Sequence, residues 1–198
     1  GDRGERDFRW RGGSVSRMEG LSDGVFALAL TLLVVTLEVP RTYAGLLETF
    51  VQTPVFAVCF AMLAWCWLVH YRFNRRFGLE DLGTTWLNLA LLFVIVLYAY
   101  PLRFVFTVVY NVVVLGREPA TTDDKGVAAR VFTGEHEVQH LMWIYGAGFA
   151  AVFLLFAALY AHAWRKRAEL ELDSAERVIT KAAIHSHLLH HPILDLHR

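Results

Sequence analysis

One long apolar run near the amino terminus places the strongest constraint on what this chain can fold into. Residues 17–40, RMEGLSDGVFALALTLLVVTLEVP, open with polar side chains and then continue to Leu37 without a charge. Counted from Met18, the run has roughly the 20 residues that a helix needs to cross the hydrocarbon core of a bilayer. Polar groups at membrane depth are costly and usually functional, which singles out Ser22 and Asp23 at its entrance. The run therefore predicts a membrane-spanning helix with a functional polar start.

One face of this predicted helix carries small and apolar side chains. They recur at spacings of three and four, and they are Gly24, Leu28, Thr31, Leu32 and Val35. Residues with these spacings share one stripe of a helix. Such a stripe is typical of a surface that packs against lipid or another helix, and it also suits the lining of a pore. The spacing by itself leaves both interpretations open.

Three further apolar runs indicate that the chain is a membrane protein. Hydrophobic residues account for 56% of the sequence and are clustered, and the mean hydropathy is +0.39. The runs cover residues 54–69 with a continuation to 73, residues 86–100 with a continuation to about 115, and residues 141–163. Proline lacks a backbone N–H, so we expect Pro101 to kink or end the third run. The sequence predicts an all-α, multi-pass transmembrane bundle with four spans.

The basic residues predict the orientation of these spans. Arginine is frequent in residues 1–17 and at residues 72–76, and a basic cluster covers residues 165–167, whereas the first connector holds only Arg41. Basic residues favour the cytoplasmic side, so both termini are expected there, in the cell membrane. We predict a flexible cytoplasmic tail (residues 1–16), a transmembrane domain (17–167) and a cytoplasmic or incomplete carboxyl-terminal segment (168–198). The net charge of zero argues against a nucleic-acid partner.

The polar start of the first span resembles a family signature. Arg17, followed after three residues by Leu21, Ser22 and Asp23, is similar to the arginine, phenylalanine–serine–aspartate pattern of the transmembrane protein 175 family. These are potassium channels of prokaryotic membranes and of animal endosomes and lysosomes. Leu21 stands where the family favours phenylalanine, which is a conservative difference.

Two further motifs extend the resemblance over about the first 110 residues. Near its end the second run has tryptophan, leucine and, two positions later, histidine, at Trp67, Leu68 and His70, which is similar to the family. The third run begins with the tryptophan–leucine–asparagine sequence of the family, at Trp86, Leu87 and Asn88. Val69 replaces the asparagine that the family has before the histidine. The resemblance implies that a polar network joins the first three spans, with the members Arg17, Ser22, Asp23, His70, Trp86 and Asn88.

The resemblance also implies a pore. In the family, the first helix of each subunit lines the ion path, and prokaryotic single-repeat members form homotetramers. The constriction positions fall on Leu28, Leu32 and Val35, with Thr31 as a hydroxyl layer between them. Potassium is then the permeant ion, and no cofactor is expected. The family repeat has six spans against the four predicted here, so the chain is either truncated or frame-disrupted, or a divergent member.

Two other functions compete with the channel. His136, Glu137 and His140 match the H-E-x-x-H pattern of zinc peptidases, in which one helix face presents both histidines and the glutamate acts as general base. A third ligand is unassigned, since His162 lies a whole span away, so we expect neither a resident metal nor an enzyme. The other alternative is a structural membrane protein that does not conduct ions.

Overall fold

Helices dominate the computed structural model, which describes residues 8–35, 42–116, 120–122, 128–130 and 135–189. Within those ranges the helices are α1 (Arg17–Val35), α2 (Tyr43–Val51), α3 (Thr53–Phe77), α4 (Leu82–Val113), α5 (Glu135–Arg165) and α6 (Ser174–Leu189). A short antiparallel hairpin pairs β1 (Ala120–Thr122) with β2 (Ala128–Arg130), with Thr121 opposite Ala129. The predicted all-α class is confirmed.

Local sequence explains where several helices begin and end. Gly78 ends α3 in the left-handed conformation (φ 57°), which glycine adopts without steric cost. Asp81 begins α4, and its carboxylate accepts hydrogen bonds from the Gly83 amide and the Thr84 hydroxyl at 3.1 and 2.7 Å. At the start of α6, Asp173 and Glu176 each accept from the backbone amide of the other, which is a reciprocal capping box.

Three helices in the described ranges are long and apolar enough to cross a membrane: Thr53–Phe77, Leu82–Ala99 and His136–Arg165. A shorter apolar helix, Pro101–Val113, continues the second of these, so α4 passes through Pro101 instead of ending there. The first of the four predicted spans, which corresponds to α1, is not among them. Its described part has 19 residues and carries Arg17, Glu19 and Asp23 in its first two turns, and residues 36–40 of that predicted span lie outside the described ranges.

The helices pack so that α1 lies against α3 and α4, α4 against α5, and α5 against α6. The core between α1, α3, α4 and α5 is apolar, and its buried members include Phe26, Leu33, Phe73, Leu91 and Leu159. The two thiols are free: Cys59 is buried and Cys66 is half-buried. The apolar core therefore holds one side of α1 against α3 and α4.

Three segments contain structure or contacts that the sequence did not predict. The connector of residues 41–53 contains a helix, α2, and the polar loop of residues 116–135 contains the small hairpin. The described part of the predicted flexible tail, residues 8–16, packs on the bundle: Phe8 is 2% exposed, and the Arg11 and Gly12 amides donate to the Arg75 carbonyl at 3.1 and 3.2 Å. We call residues 8–13 the strap.

Candidate functional site

The apolar stripe lies on the side of α1 that faces away from the other described helices. Leu28 is 52% exposed, Thr31 is exposed and Leu32 is half-buried, while an alanine side chain at Gly24 would meet no atom within 4 Å. Val35 ends α1, and its side chain lies outside the described part of the chain. The described part of the chain therefore leaves most of this stripe uncovered.

The opposite side of α1 is buried against α3 and α4. Its members are Ser22, Phe26, Ala29 and Leu33, all at most 2% exposed. The Ser22 hydroxyl donates to the carbonyl of Met18 at 2.8 Å, which satisfies it inside the helix itself. The 3.6-residue period of the helix therefore separates a packing face from an open face. Along the open face, the Thr31 hydroxyl donates to the Ala27 carbonyl at 2.8 Å, which leaves its oxygen lone pairs directed away from the backbone.

A buried histidine joins α3 to α4 behind this packing face. His70 and Asn88 are each 1% exposed, and the His70 Nε2 lies 3.0 Å from the Asn88 Oδ1. The Asn74 amide nitrogen lies 3.3 Å from the His70 Nδ1. An amide NH₂ only donates, so Nδ1 accepts, and Nε2–H donates to Asn88. The Phe26 ring of α1 packs 5.9 Å from the imidazole, which places this pair directly behind α1.

Asp23 binds α3 through a tryptophan. The Trp67 indole N–H donates to the Asp23 carboxylate at 2.8 Å, and the Trp67 ring stacks on Tyr71 at 5.6 Å. One turn further along, the Arg75 guanidinium lies 5.5 Å from the Tyr71 ring centroid and its Nε lies 3.9 Å from the Glu19 carboxylate. These contacts line the junction between the amino-terminal half of α1 and the carboxyl-terminal half of α3.

The structure therefore brings together only some of the residues in the predicted polar network. His70 contacts Asn88, whereas Trp86 is 69% exposed and Arg17 is exposed with no ion-pair partner in the described ranges. The sequence reasoning did not assign Trp67 and Asn74 to the network. Asn74 follows His70 by four residues, the spacing that puts two side chains on one helix face, so helical periodicity could have identified it.

A second polar cluster holds the start of α4 to the end of α5. The Asp81 carboxylate lies 2.8 Å from the His162 Nε2 and 3.7 Å from the Lys166 Nζ. Burial would raise the pKa of Asp81, but the hydrogen bonds from Thr84 and His162 and the charge of Lys166 outweigh it and lower the pKa to about 2. The carboxylate stays ionised at physiological pH and ties the two helix ends together.

The H-E-x-x-H residues open α5 without forming a site. His136, Glu137 and His140 are all exposed. Nowhere in the ranges that the structure describes do three or more histidine, cysteine, aspartate or glutamate side chains gather closely enough to hold a metal ion.

The fold and its apolar spans define a multi-pass helical membrane protein, and comparison with known proteins identifies its class. The family model of the endosomal/lysosomal potassium channel TMEM175 matches residues 17–98. A potassium channel of Marivirga tractuosa is 35% identical over 191 residues, which cover 92% of this chain and 73% of that protein. A potassium channel of Streptomyces collinus is 33% identical over 91 residues, 43% of this chain and 44% of that one.

A solved structure agrees with the sequence matches. The crystal structure of a threonine-to-alanine variant of the potassium channel MtTMEM175, in complex with a nanobody–MBP fusion protein, superimposes with a TM-score of 0.80 and 34% identity. The match covers 93% of this chain and 78% of that chain. The chain belongs to the TMEM175 family of potassium channels. It is therefore a channel and not a peptidase.

Proposed function

We propose that this protein is a potassium-selective channel whose pore is lined by α1, with its constriction at Leu28, Leu32 and Val35 and a hydroxyl layer at Thr31. The observation that carries the proposal is the exposure of Leu28 on the side of α1 that the described part of the chain leaves uncovered. Four copies related by a closed symmetry would turn these stripes toward a common axis. A homotetramer in the cell membrane, with both termini cytoplasmic, suits the family membership and the distribution of basic residues.

The mechanism follows from the chemistry of the stripe. Leucine and valine side chains offer a passing cation no ligand, so the ion must give up hydration water without replacement. Potassium holds its water less tightly than sodium, so a narrow apolar ring favours potassium and also closes readily by dewetting. Between the leucine rings, the lone pairs of Thr31 can hold an ion or a water molecule.

The contacts that hold α1 against α3 support this mechanism. A constriction of side chains works only if the helix that carries it keeps a fixed rotation and height. The Asp23–Trp67 hydrogen bond and the packing of Phe26 on His70 fix α1 at its polar end. A charged acceptor strengthens the Asp23 bond, which offsets the cost of a carboxylate near the membrane.

The test replaces Leu28 with asparagine and measures potassium and sodium flux in liposomes that contain the purified protein. We expect Leu28→Asn to lower the potassium-to-sodium permeability ratio several-fold, because the amide supplies ligands that sodium also uses. Val34→Asn is the matched control, since Val34 is 49% exposed on α1 but lies off the stripe. Equal ratios in the wild type and Leu28→Asn, or equal losses in both variants, would remove Leu28 from the constriction.

A further inference from the structure

The last described helix returns along α5. The Lys181 Nζ lies 4.9 Å from the Trp164 ring centroid, and the His187 ring stacks on Phe156 at 5.5 Å. The later residue of α6 contacts the earlier residue of α5, so the two helices are antiparallel. From Trp164 back to Phe156 an α-helix rises roughly 12 Å. Because the apolar span of α5 ends at Arg165, the later turns of α6 lie at membrane depth.

The outer face of α6 combines apolar and basic side chains. Val178 is 68% exposed and Leu188 is 51% exposed, and Arg177, Lys181 and His185 are also exposed. On a helix at membrane depth, exposed valine and leucine side chains suit the lipid tails, and basic side chains beside them suit the headgroups.

Two cations lie close to the ring of one tryptophan. Lys181 is exposed on α6, and the Arg167 guanidinium lies 5.1 Å from the same Trp164 ring that Lys181 covers. Arg167 also donates to the Trp164 carbonyl at 3.2 Å. Neither cation has a carboxylate partner in the described ranges. Two positive charges beside one indole ring leave a place for an anion.

The carboxylates of the α5–α6 turn are already engaged elsewhere. Glu169 lies 3.4 Å from the Lys166 Nζ, and Glu171 lies 3.7 Å from the Arg9 guanidinium. Glu176 is buried and accepts from the backbone and from the strap. These carboxylates are therefore not the partners of Lys181 and Arg167.

We propose that Lys181 and Arg167 bind the phosphate of an anionic phospholipid headgroup, in the leaflet that the carboxyl end of α5 reaches. Tryptophan prefers the depth of the headgroups, so Trp164 places both cations at the level of lipid phosphates. Ammonium and guanidinium groups donate charge-assisted hydrogen bonds to phosphate oxygens. The site requires only that α5 spans the membrane, and it stands whether or not α1 lines the pore.

The test is native mass spectrometry of the full chain, released from detergent with phosphatidylglycerol or phosphatidylcholine at matched concentrations. We expect Lys181→Gln to lower the retention of phosphatidylglycerol about fivefold, the factor that one basic charge near anionic lipid provides, and to leave phosphatidylcholine unchanged. Arg167→Gln should behave in the same way, and Lys181→Arg should keep the wild-type preference. Lys166→Gln removes one charge nearby from a residue already paired with carboxylates, and it should change little.

Three outcomes would overturn the proposal. Equal losses in Lys181→Gln and Lys166→Gln would reveal a general electrostatic field with no site. Equal retention of the two lipids by the wild type would show that the cations do not select anionic headgroups. Displacement of phosphatidylglycerol by excess inorganic phosphate would make this a site for the free anion.

Discussion

At the scale of single residues, the buried histidine of α3 sets the relation between three helices. Its imidazole donates from Nε2 to Asn88 and accepts at Nδ1 from Asn74, so both ring nitrogens are satisfied. Leaving a buried polar atom without a partner costs about 1–3 kcal/mol, which penalises any rotation of α3 against α4. Because Phe26 packs on the same ring, the position of α1 is tied to this hydrogen-bonded pair.

Asp81 gives a prediction that depends on pH. A carboxylate with a pKa lowered from 3.8 to about 2 in the folded protein stabilises the fold at every pH above about 4. That contribution is lost as the pH falls through the lowered pKa. Asp81→Asn should therefore destabilise the detergent-solubilised protein at pH 7 by up to about 2 kcal/mol, measured by thermal unfolding, and should approach the wild type near pH 2.

A control for this prediction is available next to Asp81 in the chain. Glu80 is exposed and has the same charge, so Glu80→Gln should leave the melting temperature almost unchanged at both pH values. If the loss of stability in Asp81→Asn stays constant from pH 7 to pH 2, the ionised Asp81 carboxylate does not stabilise the fold through its contacts with His162 and Lys166.

At the scale of elements, the strap holds α3 and α6 to each other. The Arg11 guanidinium donates to both oxygens of Glu176 at 3.1 and 2.6 Å, and its Nε donates to the Leu170 carbonyl at 2.8 Å. Burial would raise the pKa of Glu176, but the bonds from Arg11 and from the Arg9 and Asp173 amides lower it, so this carboxylate is charged inside the protein. The strap is thus an ion-paired part of the bundle.

Breaking this buried pair should cost far more than breaking a surface pair. Arg11→Gln leaves the Glu176 carboxylate buried without its cation, and loss of one partner in such a pair costs about 3–5 kcal/mol. Arg9→Gln is the matched control, because Arg9 meets the exposed Glu171 at 3.7 Å and exposed pairs contribute about 1 kcal/mol or less. Thermal unfolding with limited proteolysis of the amino terminus measures both, and equal losses in the two variants would contradict the buried pairing.

The contacts of the strap could not be predicted from the sequence, unlike the apolar spans. Hydropathy predicted the three spans that the described helices contain, because that signal is local. The helical period grouped the stripe of α1 on one helix face for the same reason. Arg11 and Glu176 lie 165 residues apart, and no local pattern predicts that they meet. The helix of residues 43–51 was missed because its nine residues are bracketed by polar positions in a short connector. The Asp23–Trp67 bond joins residues 44 positions apart on two different helices, so no local pattern predicts it either.

At the scale of the whole molecule, one subunit is incomplete as a channel. A single α1 presents one stripe, and one stripe cannot enclose a path for ions. In the homotetramer that we propose, closed symmetry would place the same stripe of each copy around an axis. The uncovered face of α1 would then meet the other copies, and the exposed apolar residues of α3, α4 and α5 would face lipid.

Cross-linking distinguishes an axial stripe from a lipid-facing one. In a background with Cys59 and Cys66 replaced by alanine, Leu28→Cys should form disulfides between subunits under mild oxidation, because residues near a symmetry axis approach their own copies. Val34→Cys, equally open in one chain but off the stripe, should stay largely monomeric on denaturing gels. If Leu28→Cys stays monomeric and Val34→Cys cross-links, α1 is rotated in the assembly and its stripe faces lipid. Leu28 and Val34 lie toward opposite edges of the uncovered face of α1, and either edge could meet the axis. The ratio of cross-linking in Leu28→Cys to that in Val34→Cys therefore decides which residues border the ion path.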